Sequence, residues 1–186
     1  MDVFYHIRNL LIQPSVQWAA IASENKSIKR VFCGFVFPLL LLIAVCVLLG
    51  SVLFASRIDF SAVSVVKRML LLFASLSAGL YLSAFLINTT MIHLCQRNIQ
   101  GVFALMAYSS SVAMLLIAMV ELLPFPYLKE LLVLMFYSVF LYWRGIPAIL
   151  DIPAGKRGAF IVLSVVTSAA GYALPFFLFS KILNAI

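Results

Sequence analysis

Charge is what this sequence has least of. Only 10% of its 186 residues are Asp, Glu, Lys or Arg, and 65% are hydrophobic, against roughly 25% and 45–50% in soluble domains. So little polar side chain does not cover a water-facing globule. A soluble enzyme is excluded, and the bilayer is the expected solvent. Acidic residues number six and stand singly, so the paired carboxylates of acid–base catalysis are missing. Cysteines number three and histidines two. Cys33, Cys46, Cys95, His6 and His93 do not fall in the paired spacings that zinc asks for, and cysteines within apolar runs do not make a disulfide framework. Nothing resembles a nucleophile elbow, a phosphate loop or a metalloprotease helix. The hydroxyls of Ser109-Ser110-Ser111 have no histidine in their own span. We expect no enzyme activity, no catalytic residue, no cofactor and no metal. Thirteen Lys and Arg exceed the six acids by seven, an excess that in an apolar chain reports topology rather than nucleic-acid binding.

What is present is a set of long runs free of Asp, Glu, Lys and Arg. Residues 31–56, 69–96, 98–120 and 158–180 are four of them, each 23 residues or longer, where a helix needs about 20 to cross the hydrocarbon. A fifth is weaker, because only 13 residues separate Glu130 from Arg144. It is still read as a span, since 131–143 is apolar almost throughout. None of these segments alternates as a barrel strand would. The fold class is therefore all-α: a polytopic bundle with five transmembrane helices, spanning about 31–55, 69–93, 99–120, 128–147 and 158–181. The first run is too long, and starts too late, for a signal-peptide core. It is expected to be retained.

Two domains follow, an interfacial segment over 1–30 and a transmembrane domain over 31–186. Phe4, Ile7 and Leu11 share a helical face, with Arg8 and Asn9 away from it. After Pro14 comes Trp18, a side chain suited to headgroup depth, followed by Lys26, Lys29 and Arg30. This pattern predicts an amphipathic helix lying in the membrane plane, the alternative being a frayed tail. Residues 57–68 give a weaker signal of the same kind. Five spans put eight Lys and Arg on the N-terminal side (Arg8, Lys26, Lys29, Arg30, Arg97, Arg144, Lys156, Arg157) and five on the other. The positive-inside rule then places the N-terminus in the cytoplasm and the C-terminus outside.

Candidate functional residues are few. Ionisable groups near a membrane segment are the first to consider. Arg144, followed by Gly145-Ile146-Pro147, is expected where that helix breaks, with its side chain reaching into the headgroups. Asp151 is close enough in sequence to pair with it, and Lys156 and Arg157 complete a basic cluster that suits anionic lipid or a partner protein. Trp18 is added as an interfacial anchor. Glu121 reads as a solvated loop carboxylate. Asn88 and His93, in a polar patch at the end of the second span, form a candidate polar path. Gly34 with Pro38 and Gly171 with Pro175 repeat one device, a proline with a glycine four residues back. It is either a tolerated kink or the broken helix of a transporter. Rows of small residues (Ser75, Gly79, Ser83; Ser109, Ala113; Ser164, Ser168) let helices approach closely in lipid, and bundle packing outweighs a site lining as their reading.

The order of these features resembles the Yip-domain family of Ypt/Rab-interacting membrane proteins, especially its short prokaryotic-type members. The resemblance runs from about Leu10 to the last span. It rests on Gln13-Pro14, Trp18, Ile21, Glu24 and Ser27; on Pro38-Leu39; on Gly101 with Ala107-Tyr108-Ser109; and on Tyr137-Ser138, Leu141, Trp143-Arg144-Gly145 and Pro147, with Pro153, Lys156-Arg157 and Phe160. It implies five transmembrane helices, a cytoplasmic N-terminus and no established enzyme chemistry. Eukaryotic members are linked to Rab GTPases, but the chain has only 30 residues before its first span and no Asp-Leu-Tyr-Gly-Pro run, so that role is not carried over. The expected function is a scaffold or adaptor binding membrane lipids or a partner membrane protein, in the bacterial inner membrane. The alternative is a small transporter or channel, formed as a homo-oligomer around the polar path.

Overall fold

Each long apolar run is helical in the computed structural model, which describes residues 3–24, 26–54, 61–90, 98–123, 126–150 and 152–185. Two short helices open the chain, α1 (Val3–Ile12) and α2 (Pro14–Glu24). The first span combines α3 (Ile28–Val31), a π-turn (Phe32–Val36) and α4 (Phe37–Leu53). Helix α5 (Ala62–Thr90) is the second, and α6 (Ile99–Ser109) with α7 (Ser111–Leu122) is the third. A 3-10 helix (Pro126–Phe136) leads into α8 (Tyr137–Ile149), and a single 3-10 turn (Ala154–Lys156) into α9 (Arg157–Ala185). Five of these stretches are long and apolar enough to cross a membrane: Ile28–Leu53, Ala62–Thr90, Ile99–Leu122, Leu132–Ile149 and Arg157–Leu183. The expected count holds.

Prolines are absorbed locally. Pro38 has no N–H for the carbonyl of Gly34. The π-turn before it lets the Phe37 N–H reach back to the Phe32 carbonyl instead, so the helix continues through the proline. Pro147 does not end its helix as expected, since α8 runs on to Ile149. Helix α9 likewise continues past Pro175.

The weak fourth span is lengthened by winding. A 3-10 helix rises about 2.0 Å per residue, an α-helix about 1.5 Å. With its first residues in the 3-10 form, Leu132–Ile149 extends about 30 Å rather than about 27 Å, enough for the hydrocarbon core. Eleven residues of 3-10 helix is far beyond the usual three or four, and here that winding makes a short apolar run long enough.

Helix α5 packs most extensively on α9, α4 lies against α7 and α5, and α6 bridges α5 and α8. The α5–α9 contact follows the predicted small-residue row, for Ser75, Gly79 and Ser83 are all buried. A Cβ on Gly79 would overlap the Tyr172 ring, and one on Gly171 would overlap Ser83. The Ser83 hydroxyl donates to the Ser168 carbonyl across the interface at 3.4 Å. Gly171 therefore serves helix approach rather than relief of the Pro175 kink.

At the end remote from α1 and α2, Glu121 differs from the solvated carboxylate expected. Its side chain is 12% exposed and pairs with Arg68 through both oxygens, at 2.9 Å to Nε and 2.9 Å to Nη2. Arg68 lies within α5, because the stretch expected as a second interfacial segment is, from Ala62 onward, the start of the second span. Residues 57–60 lie outside the described residues. Around the same end, the Glu121 backbone leaves no room for a Cβ on Gly50, so α4 and α7 nearly touch there.

The α5–α9 approach makes a testable prediction. Gly171→Val should lower thermal stability in detergent by about 1–3 kcal/mol through overpacking. Gly158→Val, at a glycine with nothing within 4 Å of its Cβ position, should leave the melting temperature nearly unchanged. Equal melting shifts in the two variants would contradict the close approach.

Candidate functional site

The N-terminal helices are seated on the bundle by a set of buried side chains, the largest of them Trp18. Trp18 was expected at headgroup depth; it is fully buried instead. Its indole meets the edge of the Tyr108 ring at 6.3 Å, and Tyr108 stacks tilted on Phe35 at 4.3 Å. The slot exists because residue 145 is glycine: a Cβ there would press on the Trp18 ring and on Leu105. The physical reason for the correction is that α2 is seated on α8, so the indole gains more by filling this slot than by lying among headgroups. Ile21 from α2 and Ile7 and Leu10 from α1 are buried with it.

The inward face of α1 is His6, Ile7 and Leu10 rather than Phe4, Ile7 and Leu11. His6 Nδ1 and Gln17 Nε2 are hydrogen-bonded at 2.6 Å in this buried contact, tying α1 to α2. Phe4, Tyr5, Leu11, Ile12 and Val16 remain exposed. The two helices thus bury one apolar face against the bundle and leave further apolar side chains exposed.

Beside this anchor lies the basic cluster. Arg144 precedes Gly145 on α8 but points away from the Trp18 slot and is exposed. Its guanidinium lies 5.5 Å from the centre of the Phe140 ring, a cation–π contact. Arg144 and Arg157 line one open recess with Ser15, Trp143, Pro147 and Ala148. The recess is walled by the first turn of α2, the last turns of α8 and the first of α9. The Arg157 Nε donates to the Ile152 carbonyl at 3.1 Å, which holds the side chain across the connection between α8 and α9. Lys156 is exposed next to it.

The structure therefore brings together Arg144 and Arg157, adds Ser15 and Trp143, and keeps Lys156 at the rim. Asp151, the expected partner of Arg144, lies outside the described residues, as does His93. Asn88 is half-buried near the end of α5. Among the described residues no group of three His, Cys, Asp or Glu is placed to hold a metal.

Chemically, the recess offers two planar guanidinium groups, the Ser15 hydroxyl and an exposed indole at the end of the fourth span. Such forks match phosphate and carboxylate oxygens in pairs, and Trp143 suits the boundary between headgroup and hydrocarbon. Ser15 and Trp143 were not singled out from the sequence. Trp143 had a signal, being an aromatic next to Arg144. Ser15 had none, because only the docking of α2 brings it there.

Comparison with known proteins supplies one match. The family model of the Yip1 domain covers residues 8–178. No curated protein and no solved structure matches the chain.

The Trp18 anchor can be tested directly. Trp18→Ala should cost about 3–5 kcal/mol of stability, as for other buried aromatics. It should also speed amide hydrogen exchange across residues 3–24 while the five spans stay protected. Unchanged exchange in α1 and α2 would remove Trp18 as their anchor.

Proposed function

Because the chain belongs to the Yip1 domain family, and because Arg144 and Arg157 share one recess at the end of its bundle, we propose that it is a non-enzymatic membrane scaffold. Its basic end would recognise the phosphate of an anionic lipid or the carboxylates of an acidic segment in a partner membrane protein. The carrying observation is the shared recess. Two guanidinium groups held at one opening suit a bidentate anion, and the Trp143 side chain gives that anion an amphipathic neighbour.

Several features support this reading. The eight Lys and Arg on the N-terminal side make that side the cytoplasmic one by the positive-inside rule, facing the anionic leaflet that attracts basic clusters. In this assignment the C-terminus is outside and the protein resides in the bacterial inner membrane. Seated α1 and α2 give a docking partner a firm surface, and Lys26, Lys29 and Arg30 lie on the same end as Arg144 and Arg157.

The test is retention of lipid by the purified protein. Nanodiscs of mixed phosphatidylglycerol and phosphatidylcholine would be exchanged into detergent and the bound lipid identified by native mass spectrometry. Each basic residue near a membrane surface contributes about 1 kcal/mol, so Arg144→Ala with Arg157→Ala should weaken anionic-lipid retention roughly thirtyfold. Affinity capture from native membranes with the same pair of variants covers the protein partner. Wild-type retention of both lipid and partner by the double variant would overturn the proposal.

A further inference from the structure

Hydroxyl groups within these spans have a habitual partner. Ser51 donates to the Val47 carbonyl at 2.7 Å, Ser77 to Phe73 at 2.6 Å, Thr90 to Leu86 at 2.7 Å and Ser168 to Ser164 at 2.6 Å. This return to the preceding turn is how a helical serine avoids leaving a donor bare in hydrocarbon. Ser109 and Ser138 depart from it. Both hydroxyls are buried and neither has a hydrogen-bond partner, and Ser109 is only 3% exposed. An unmet buried hydroxyl costs about 1–3 kcal/mol, so two of them in one place call for an explanation.

They are in one place. Ser109 and Ser138 line the same cavity, of about 170 Å³, between the third, fourth and fifth spans. The Ser109–Ala113 and Ser164–Ser168 rows, expected to seal helix against helix, both face this space instead. Tyr172, four residues beyond Ser168, lines it too, and its hydroxyl is likewise buried without a partner. The rest of the wall is apolar, with Met106, Met135 and Val139 among its members. No Asp, Glu, Lys, Arg or His lines it among the described residues. A charged headgroup or an ion has no counter-charge there and is excluded by desolvation.

The cavity opens sideways. Helices α8 and α9 touch only sparsely, and Val165, in the cavity wall and within the apolar length of α9, is 38% exposed. An occupant would enter from the hydrocarbon, not from water. The volume is comparable to the roughly 150 Å³ of an apolar cavity that takes up benzene, so it holds the end of a molecule of roughly six to eight carbons' bulk.

We propose that this cavity is a binding site for the oxygen-bearing end of an uncharged lipid, an alcohol or a carbonyl compound, with the Ser109 and Ser138 hydroxyls as its hydrogen-bonding groups. The site is distinct from the Arg144–Arg157 recess and uses none of its residues.

The test uses the full chain in phosphatidylcholine liposomes with a diazirine-bearing long-chain alcohol as the photoprobe. A diazirine alkane without the hydroxyl and a diazirine phosphatidylglycerol serve as controls. The alcohol should cross-link to peptides bordering the cavity, and unlabelled alcohol should compete. Ala113→Phe, which fills the cavity, should remove the competed signal. Ser109→Ala with Ser138→Ala, which keeps the cavity and removes only two oxygens, should reduce it about fivefold or more. If Ala113→Phe fails to fold, the serine pair still decides the question. Overturning results are alcohol labelling that spreads over the lipid-facing helices as the alkane does, labelling unchanged in the serine pair, or equal labelling of the cavity by the anionic probe.

Discussion

Two helices in lipid have no water to expel between them, so they hold together only where their backbones come close. In this protein that condition is met along α5 and α9, where Gly79 admits the Tyr172 ring and Gly171 admits Ser83. The other spans are arranged around that contact. Helix α4 joins α5 from one side and reaches α7 at Gly50. Helix α6 sits against α5 and carries α8 beyond it. The fourth span thus meets α9 sparsely, and the cavity lies in that gap. Close packing in one place and a vacancy in another have the same cause: small side chains close an interface only where the facing helix comes within reach.

Length and composition made the fold class legible, because five apolar runs in a chain with so little charge have few alternatives. Helix boundaries were less so. The second span begins at Ala62, since Lys67 and Arg68 ride inside a helix and Arg68 is met by Glu121. A rule that ends a span at the first charge misses a pairing made 53 residues away in sequence. Pro147 was read as a helix end, but α8 passes through it: the proline forfeits one N–H donor, and beyond it the Leu150 N–H still closes the last turn on the Ile146 carbonyl at 2.8 Å. Periodicity is likewise silent about 3-10 winding, so the true reach of the fourth span was hidden.

The candidate site was half legible. Arg144 and Arg157 were identifiable because ionisable residues near a span are rare here, and the structure puts them on one opening. Trp18 was misread for a physical reason: an indole suits the headgroup layer and a protein slot equally well, and the sequence does not show that Gly145 has left a slot open. Once α2 docks there, Ser15 is delivered to the arginines. A residue with no signal of its own becomes part of the site through an aromatic three positions on. The hydroxyl-lined cavity did have a signal. Ser164, Ser168 and Tyr172 recur every four residues, as do Ser109 and Ala113, and Ser138 and Tyr142. Read singly, each row predicts packing, and only the meeting of three rows separates a lining from a seam.

The 3-10 winding of the fourth span connects these features. It stretches a short apolar run across the membrane, and it ends at Phe136, one residue after Met135 and two before Ser138 in the cavity wall. A 3-10 helix stacks its side chains in three rows rather than spreading them around the cylinder. Helix α7 packs along this winding, whereas α9 meets neither it nor α8 extensively. The hydroxyl of Ser138 falls where the two windings join, without the hydrogen bond to its own helix that Ser77 and Ser168 make. The shortness of one apolar run thus accounts for an extended winding, and the cavity's partnerless Ser138 hydroxyl stands where that winding gives way to the α-helix, beside the sparsely packed α9.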